Sequence, residues 1–446
     1  MQKNAVKNDL FTDEFGVIYD ITNKSIVSAA NLSGTTYYSV KSGTERIESG
    51  CFNNSNLVEI NLPDSIKTIE PLAFMHCRKL TIINFGNGLQ QVKNHAFSGC
   101  NKLNHIHFPK KLTTLDHLAL SGLSGNLTVT IDSDNSFFSS DKHFIFSKDK
   151  TVITHAIDSY RNKHVKIPNG VKVVGKEAFM KCTRIKSVDM PDSVITVSKH
   201  AFDSCSSLEH IRLSKNIIEL GECCFRKSKI QKITLPSSLK YIGVDAFLMC
   251  SNLVSFQVDN ENKNFESINH VLFNKNRKTL IAYPLNCKQK SYTIPAKVSK
   301  IGTGAFMDAI HLNEIKFSNT VVEIGAYAFA DCTNLHIIRW SKQLQRIKRN
   351  AFQNCTKLST LKFPESLVQI DKCAFEFCDN LKKVFLEKHI RKINKASFLN
   401  PHKVVFKIHK SNKHYVVINN QIFENRYDIQ FLEKWLKETI NPNVPF

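Results

Sequence analysis

Long apolar runs are missing from this 446-residue chain. No window approaches the ~18 uninterrupted apolar residues of a membrane-spanning helix. The stretch Met1–Leu10 lacks the ~7–15 apolar residues of a secretory signal. Gln2 excludes N-myristoylation, and the terminal Asn443-Val-Pro-Phe446 carries no prenylation cysteine. These absences predict a protein without a membrane span that stays in a reducing, cytoplasmic compartment. The N-x-S/T triplets at Asn23, Asn31, Asn53, Asn126 and Asn354 then carry no meaning unless the chain is exported. Catalytic signatures are missing too: there is no H-E-x-x-H, no G-x-S-x-G and no phosphate-binding loop. C-x-x-C pairs and Cys/His clusters are lacking, so no zinc or other cofactor is expected. The seventeen His are scattered, and His105 and His107 read as an exposed pair on alternate strand positions. The chain is expected not to be an enzyme.

What is present is a core and a charge. Hydrophobic residues make up 42 %, enough to exclude wholesale disorder. Lys and Arg number 61 against 39 Asp and Glu, a net +22 that favours an acidic partner and says nothing about fold. The surplus is uneven, since residues 339–413 hold 18 Lys/Arg and only 5 Asp/Glu.

Spacing organises the rest. A Phe that follows a small residue recurs at 52, 74, 97, 179, 202, 225, 247, 306, 329, 352, 375 and 398, with Leu120 in the same slot. The step is 22 or 23 residues wherever it is uninterrupted, and the two 59-residue gaps each equal one period plus 36. Thirteen coils follow from this count. The unit reads I-G-x-x-A-F-x-x-C-x-x-L-x-x-I-x-[LF]-P-x-S-[VL]-x-x, with clean copies at 324–335 and 370–381. Phe, Cys and Leu at i, i+3 and i+6 suggest one apolar face of a short helical turn. I-x-[LF] suggests a short strand ended by Pro, and the Ser-Val/Leu and Ile-Gly elements suggest the return bends. A lone unit cannot bury both stripes, so units must stack into a solenoid with a continuous parallel sheet. The expected fold is an α/β leucine-rich-repeat solenoid with the sheet on a concave face, a short helical or irregular convex side, and β-hairpin inserts.

The inserts lie near 132–168 and 259–295 and resemble one another, as in Asp141–Ile153 and Ile268–Leu280. The N-terminus repeats the element at Phe15–Val27, and a truncated copy stands at Tyr415–Phe423. The hairpin aromatics Tyr19, Phe146, Phe273 and Phe423 are 127, 127 and 150 residues apart, which points to block duplication. Residues 1–46 are expected to form an N-terminal hairpin cap, 47–410 the solenoid, and 411–446 a C-terminal hairpin and helix cap. The helix is expected over about 428–440, with Leu432, Trp435, Leu436 and Ile440 on one side.

Eight cysteines share the slot three after the anchor: Cys77, Cys100, Cys182, Cys205, Cys250, Cys332, Cys355 and Cys378. Ser55 and Ser228 take that slot in the 22-residue coils, with Cys51 and Cys224 beside the Phe instead. A ladder of interior thiols is the simplest reading, and disulfides would fit better with the off-ladder Cys223, Cys287 and Cys373. The middle residue of I-x-[LF] points away from the core. It builds a row of Asn61, Asn84, His107, Asp189, Arg212, Thr234, Gln257, Lys316, Arg339, Lys362 and Phe385, neutral at its start and basic at its end. This row is the candidate partner-binding surface, with an acidic or glycosylated protein as partner. Nucleic acid is disfavoured, because no reading module or aromatic stacking row is present. The same pattern can instead reflect a Lys- and Asn-rich composition that keeps the coils solvated.

The Ile-Gly-x-x-Ala-Phe-x-x-Cys core and Pro-x-Ser-Val/Leu tail resemble the 23-residue leucine-rich repeats of the BspA-like family, shared with Treponema pallidum-type leucine-rich proteins. The resemblance covers roughly 47–410, hairpins included. It implies non-enzymatic recognition by surface antigens and adhesins that bind host, matrix or microbial proteins, and hence a cell-surface location. An intracellular interaction scaffold is the alternative that the missing signal and the thiols favour.

Overall fold

A computed structural model describes residues 9–22, 24–32, 34–123, 127–157, 163–399, 404–418 and 421–424. The expected C-terminal helix lies outside the described residues. The chain divides into two compact units, Met1–Phe225 and Arg226–Phe446.

Each coil contributes two strands, not one. The longer strand covers the first two residues of I-x-[LF] and the residue before them, as in Glu59–Asn61, Ile82–Asn84 and Glu314–Lys316. The shorter covers the Ile-Gly element expected to be a bend, as in Thr68–Ile69, Gln91–Val92 and Glu323–Ile324. Both kinds pair in parallel, one coil to the next: Ile60 faces Ile83, and Ile69 faces Val92. A two-residue strand survives because its Ile, Val or Leu side chain is buried in all copies but those of Ile242 and Ile393, which are half-buried, and coil-to-coil hydrogen bonds satisfy its backbone. The sixteen longer strands among the described residues mark a parallel-strand solenoid of about sixteen turns. The anchor count gives thirteen because the strands at Tyr37–Ser39, His164–Lys166 and Ser291–Thr293 follow hairpins, where no anchor Phe exists. The longer strands form several two- and three-stranded sheets instead of one continuous sheet.

The helical side is not there. The residue before Ala-Phe and the residue two after Phe both take left-handed backbone in coil after coil. Leu72 and His76, His200 and Ser204, and Asn350 and Asn354 are examples, with φ from 56° to 63°. An α-helix cannot contain such residues. N–H groups alternate instead between two destinations. Ala73, Met75 and Cys77 close tight turns onto Glu70, Leu72 and Phe74, whereas Leu72, Phe74 and His76 donate to Asn94, Ala96 and Ser98 of the next coil. Every second residue thus spends its hydrogen bond on stacking, and three-residue turn spacing imitates a helical stripe. The one helical turn among the described residues, Lys395–Phe398, is 3₁₀.

The anchors pile up ring on ring. Phe52–Phe74–Phe97 and Phe179–Phe202–Phe225 in the first unit have centroids 4.7–5.7 Å apart, and the second unit continues Tyr283–Phe306–Phe329–Phe352–Phe375–Phe398 at 4.7–5.4 Å. Face-to-face geometry is not the preferred one for aromatic pairs. The ~4.8 Å strand spacing imposes it, so burial, not ring attraction, supplies the stability.

All thirteen cysteines are free thiols, twelve of them buried, including Cys223 and Cys373 off the ladder. The ladder has a polar purpose that apolar size alone does not explain. Cys77, Cys100 and Cys205 donate to the carbonyls of Phe52, Phe74 and Phe179 at 3.0 Å, and Cys332, Cys355 and Cys378 to those of Phe306, Phe329 and Phe352 at 3.1–3.2 Å. Each carbonyl sits in the preceding coil. Ser55 and Ser228, which hold the same slot, reach Cys77 and Cys250 at 3.2 and 3.3 Å. Burial pushes the Cys250 thiol up to about 11 and the Cys378 thiol up to about 12, which makes both poor nucleophiles.

The first three hairpins are three-stranded antiparallel meanders whose last strand opens the shorter-strand sheet. Ser25–Ser28 pairs with Arg46–Ile47, Val152–Ala156 with Val173–Val174, and Thr279–Ala282 with Lys300–Ile301. A buried asparagine launches each of three hairpins. Asn135 Nδ2 donates to Leu112 O at 2.9 Å while its Oδ1 accepts from Phe137 and Phe138 N at 2.8 Å. Asn262 and Asn412 repeat the arrangement 127 and then 150 residues later. The expected super-period therefore has a structural origin.

Candidate functional site

The strand register brings neighbouring members of the expected row together, within separate two- and three-stranded sheets. In the first unit Asn61 lies beside Asn84, His107 beside Thr130, and Asp189 beside Arg212. In the second, Thr234 lies beside Gln257, Lys316 beside Arg339, and Lys362 beside Phe385, with Lys407 next. None of these side chains is buried, because the alternating Ile, Leu or Val between them fills the core side.

Contacts along the row differ between the units. Polar rungs dominate the first: Asn84 Nδ2 donates to Asn61 Oδ1 at 2.6 Å, Asn61 Nδ2 to Tyr37 Oη at 2.7 Å, and His107 Nδ1 sits 3.0 Å from Thr130 Oγ1. Arg212 is answered by Asp189 at 3.1 Å. In the second unit Arg339 is answered by Glu314, whereas Lys316, Lys362 and Lys407 make no ion pair among the described residues. Lys362 and Lys407 place their ammonium groups 5.4 and 5.8 Å from the centre of the Phe385 ring. Unpaired cations around one aromatic ring suit a partner with acidic groups.

A second outward row was not anticipated. The residue two before most row members also lies outside the core, giving Glu59, Ile82, His105, His210, Lys232, Glu314, Ile337, Thr360 and Lys383, whereas Ser255 at that place is buried. The same period-two alternation, read one step earlier along the strand, would have found it. It matters because Glu314 belongs to it and cancels one of the expected cations.

Among the described residues, one group could offer three ligand atoms to a metal: His200, Glu222 and Cys223, all within 4.8 Å of one another. Two of its members have other partners, His200 Nδ1 on Asp203 at 2.8 Å and Glu222 on Lys199 at 2.9 Å. No helix among the described residues is long and apolar enough to cross a membrane.

The repeat can now be matched to known proteins. Six copies of a region described as BspA-type leucine-rich repeat match residues 29–149, 154–279 and 285–405. The chain belongs to the BspA-type leucine-rich repeat family. No curated protein matches it. Among solved structures it is similar to a leucine-rich cell surface protein of Faecalibacterium prausnitzii, at 20 % identity over 90 % of this chain and 96 % of that one, with a TM-score of 0.47. It is also similar to the pneumococcal vaccine antigen PcpA, at 16 % identity over 91 % and 94 %, TM-score 0.48. A leucine-rich repeat protein of Bacteroides ovatus matches at 23 % identity over 92 % and 100 %, TM-score 0.39. BspA-type repeats are a protein-interaction architecture.

Proposed function

We propose that this BspA-type chain is a non-enzymatic binding protein that engages an acidic or glycosylated protein through the outward row of its second unit. The observation that carries the reading is a pair of three-stranded parallel sheets, one placing Lys316 beside Arg339 and the next placing Lys362 and Lys407 on either side of Phe385, with the three lysines outside any ion pair among the described residues. Rows on parallel strands repeat every ~4.8 Å, a spacing that lets one extended acidic partner touch several rungs at once. Resemblance to surface proteins and to an antigen supports a role in adhesion or as a surface antigen. Thirteen free thiols support a second reading, the same binding in a reducing compartment as an interaction scaffold. Affinity capture with the wild type and with K316E/R339E/K362E, followed by mass spectrometry, tests the binding surface: partners lost from the variant support it, and an unchanged set overturns it. Trypsin added to intact cells separates the locations, because a surface protein is cleaved before lysis.

A further inference from the structure

Each internal hairpin interrupts the stack of turns, and the interruption leaves a junction where two turn segments flank a hairpin strand. The first unit has one such junction among His117, His155 and Glu177, and the second has its counterpart 127 residues later at Val244, Ala282 and Gly304. The first is nearly closed, with a cavity of about 40 Å³. His155 is buried there, and His117 meets Glu177 side chain to side chain. In the second, imidazole has become methyl, carboxylate has become hydrogen, and a cavity of about 200 Å³ opens. Its walls are mainly apolar, including Ile242, Leu248, Ile281, Ala282 and Met307, with the Asp245 carboxylate among them. Tyr283, also in the wall, is 4 % exposed, and its hydroxyl makes no hydrogen bond of ordinary geometry. Its neighbour is the Cys287 thiol.

We propose that this second junction is a binding site for a small neutral aromatic molecule bearing a short hydroxyl-containing substituent. An apolar protein cavity of about 150 Å³ holds benzene, so 200 Å³ leaves room for one ring and a short polar arm. The apolar wall takes the ring, and the Tyr283 hydroxyl and Asp245 carboxylate meet the arm. Pockets of this kind, mostly apolar with a few convergent polar groups, are the usual form of small-molecule sites. The backbone accepts the residues that close the first junction: Gly304 has φ +59°, and Glu177 holds +60° in the same slot. A Cβ at 304 would meet Leu248 Cδ1 at 2.8 Å and Asp245 Oδ1 at 3.2 Å, both ends of side chains that can turn into the empty space.

The test uses the full chain with benzyl alcohol as probe, followed by ligand-observed saturation-transfer NMR and titration. The wild type should bind saturably at one site. A282H/G304E, which installs the residues of the first junction, should weaken binding at least tenfold. A282L fills the same space with apolar atoms and should give the same loss, so the test stands even if the double variant does not fold. Absent or non-saturable binding to the wild type, or undiminished binding to A282L, overturns the proposal.

Discussion

The two hairpin junctions are one backbone solution carrying two sets of side chains. Their strands pair alike, Ile153 with Val174 and Leu280 with Ile301, and the hairpins ahead of them start from the equivalent asparagines Asn135 and Asn262. One junction is filled by two imidazoles and a carboxylate, the other is left open by Val244, Ala282 and Gly304. The difference teaches that stacking hydrogen bonds and the ring pile maintain the coil, while the junction side chains are free to become polar core or cavity.

If each unit rests on its own pile of the same kind, truncating an anchor in either should cost the same. Phe202→Ala in the first unit and Phe329→Ala in the second are each expected to lose ~3–5 kcal/mol in urea denaturation, since both rings are fully buried. A loss in one unit alone breaks the equivalence.

The next effect is smaller and confined to the first junction. Burial drives the His155 imidazole down to about 4, against an unfolded value near 6.5. As pH falls below ~6.5 the unfolded chain takes up this proton and the native one does not, so stability drops between about 6.5 and 4 and levels off below. The full loss is about 3 kcal/mol. Ala282 at the equivalent place cannot contribute, and in the second unit burial beside Asp331 instead raises the Asp308 carboxyl, an effect of opposite sign. Hydrogen exchange corrected for its intrinsic pH dependence should therefore show the first unit loosening on acidification more than the second, and His155→Ala should remove that part of the slope.

Much of this was legible from spacing alone. Period, hairpins, super-period and outward row all depend on which residues repeat, and Phe74, Phe97, Ile60 and Ile83 are buried where the pattern puts them. The second sheet was not legible, because two residues such as Thr68–Ile69 leave no alternation to read. The helix was misread because a left-handed φ at Leu72, His95 or Phe377 has no side-chain signature. The same holds for Asn135, an unremarkable residue in a polar run until its side chain is seen bonding both coils. At the candidate site, Lys316 and Lys362 stand out in the sequence as cations, but Glu314 cancels Arg339 through a strand-to-strand contact that no local pattern shows.

Smaller still are the paired cations of the two rows. Arg212→Ala and Arg339→Ala each remove one exposed ion pair, and each should change stability by less than ~1 kcal/mol in thermal melts. A larger loss from Arg339→Ala would turn the second-unit row from a recognition surface into a structural one.

The most direct measurement compares the affinity of the captured partner for two triple variants across a salt series. K316E/R339E/K362E should weaken binding at least a hundredfold and flatten its salt dependence, whereas N61E/N84E/H107E in the first unit should leave both within twofold of wild type. Equal losses from the two variants, or none from the first, would contradict the assignment of recognition to the second unit's row.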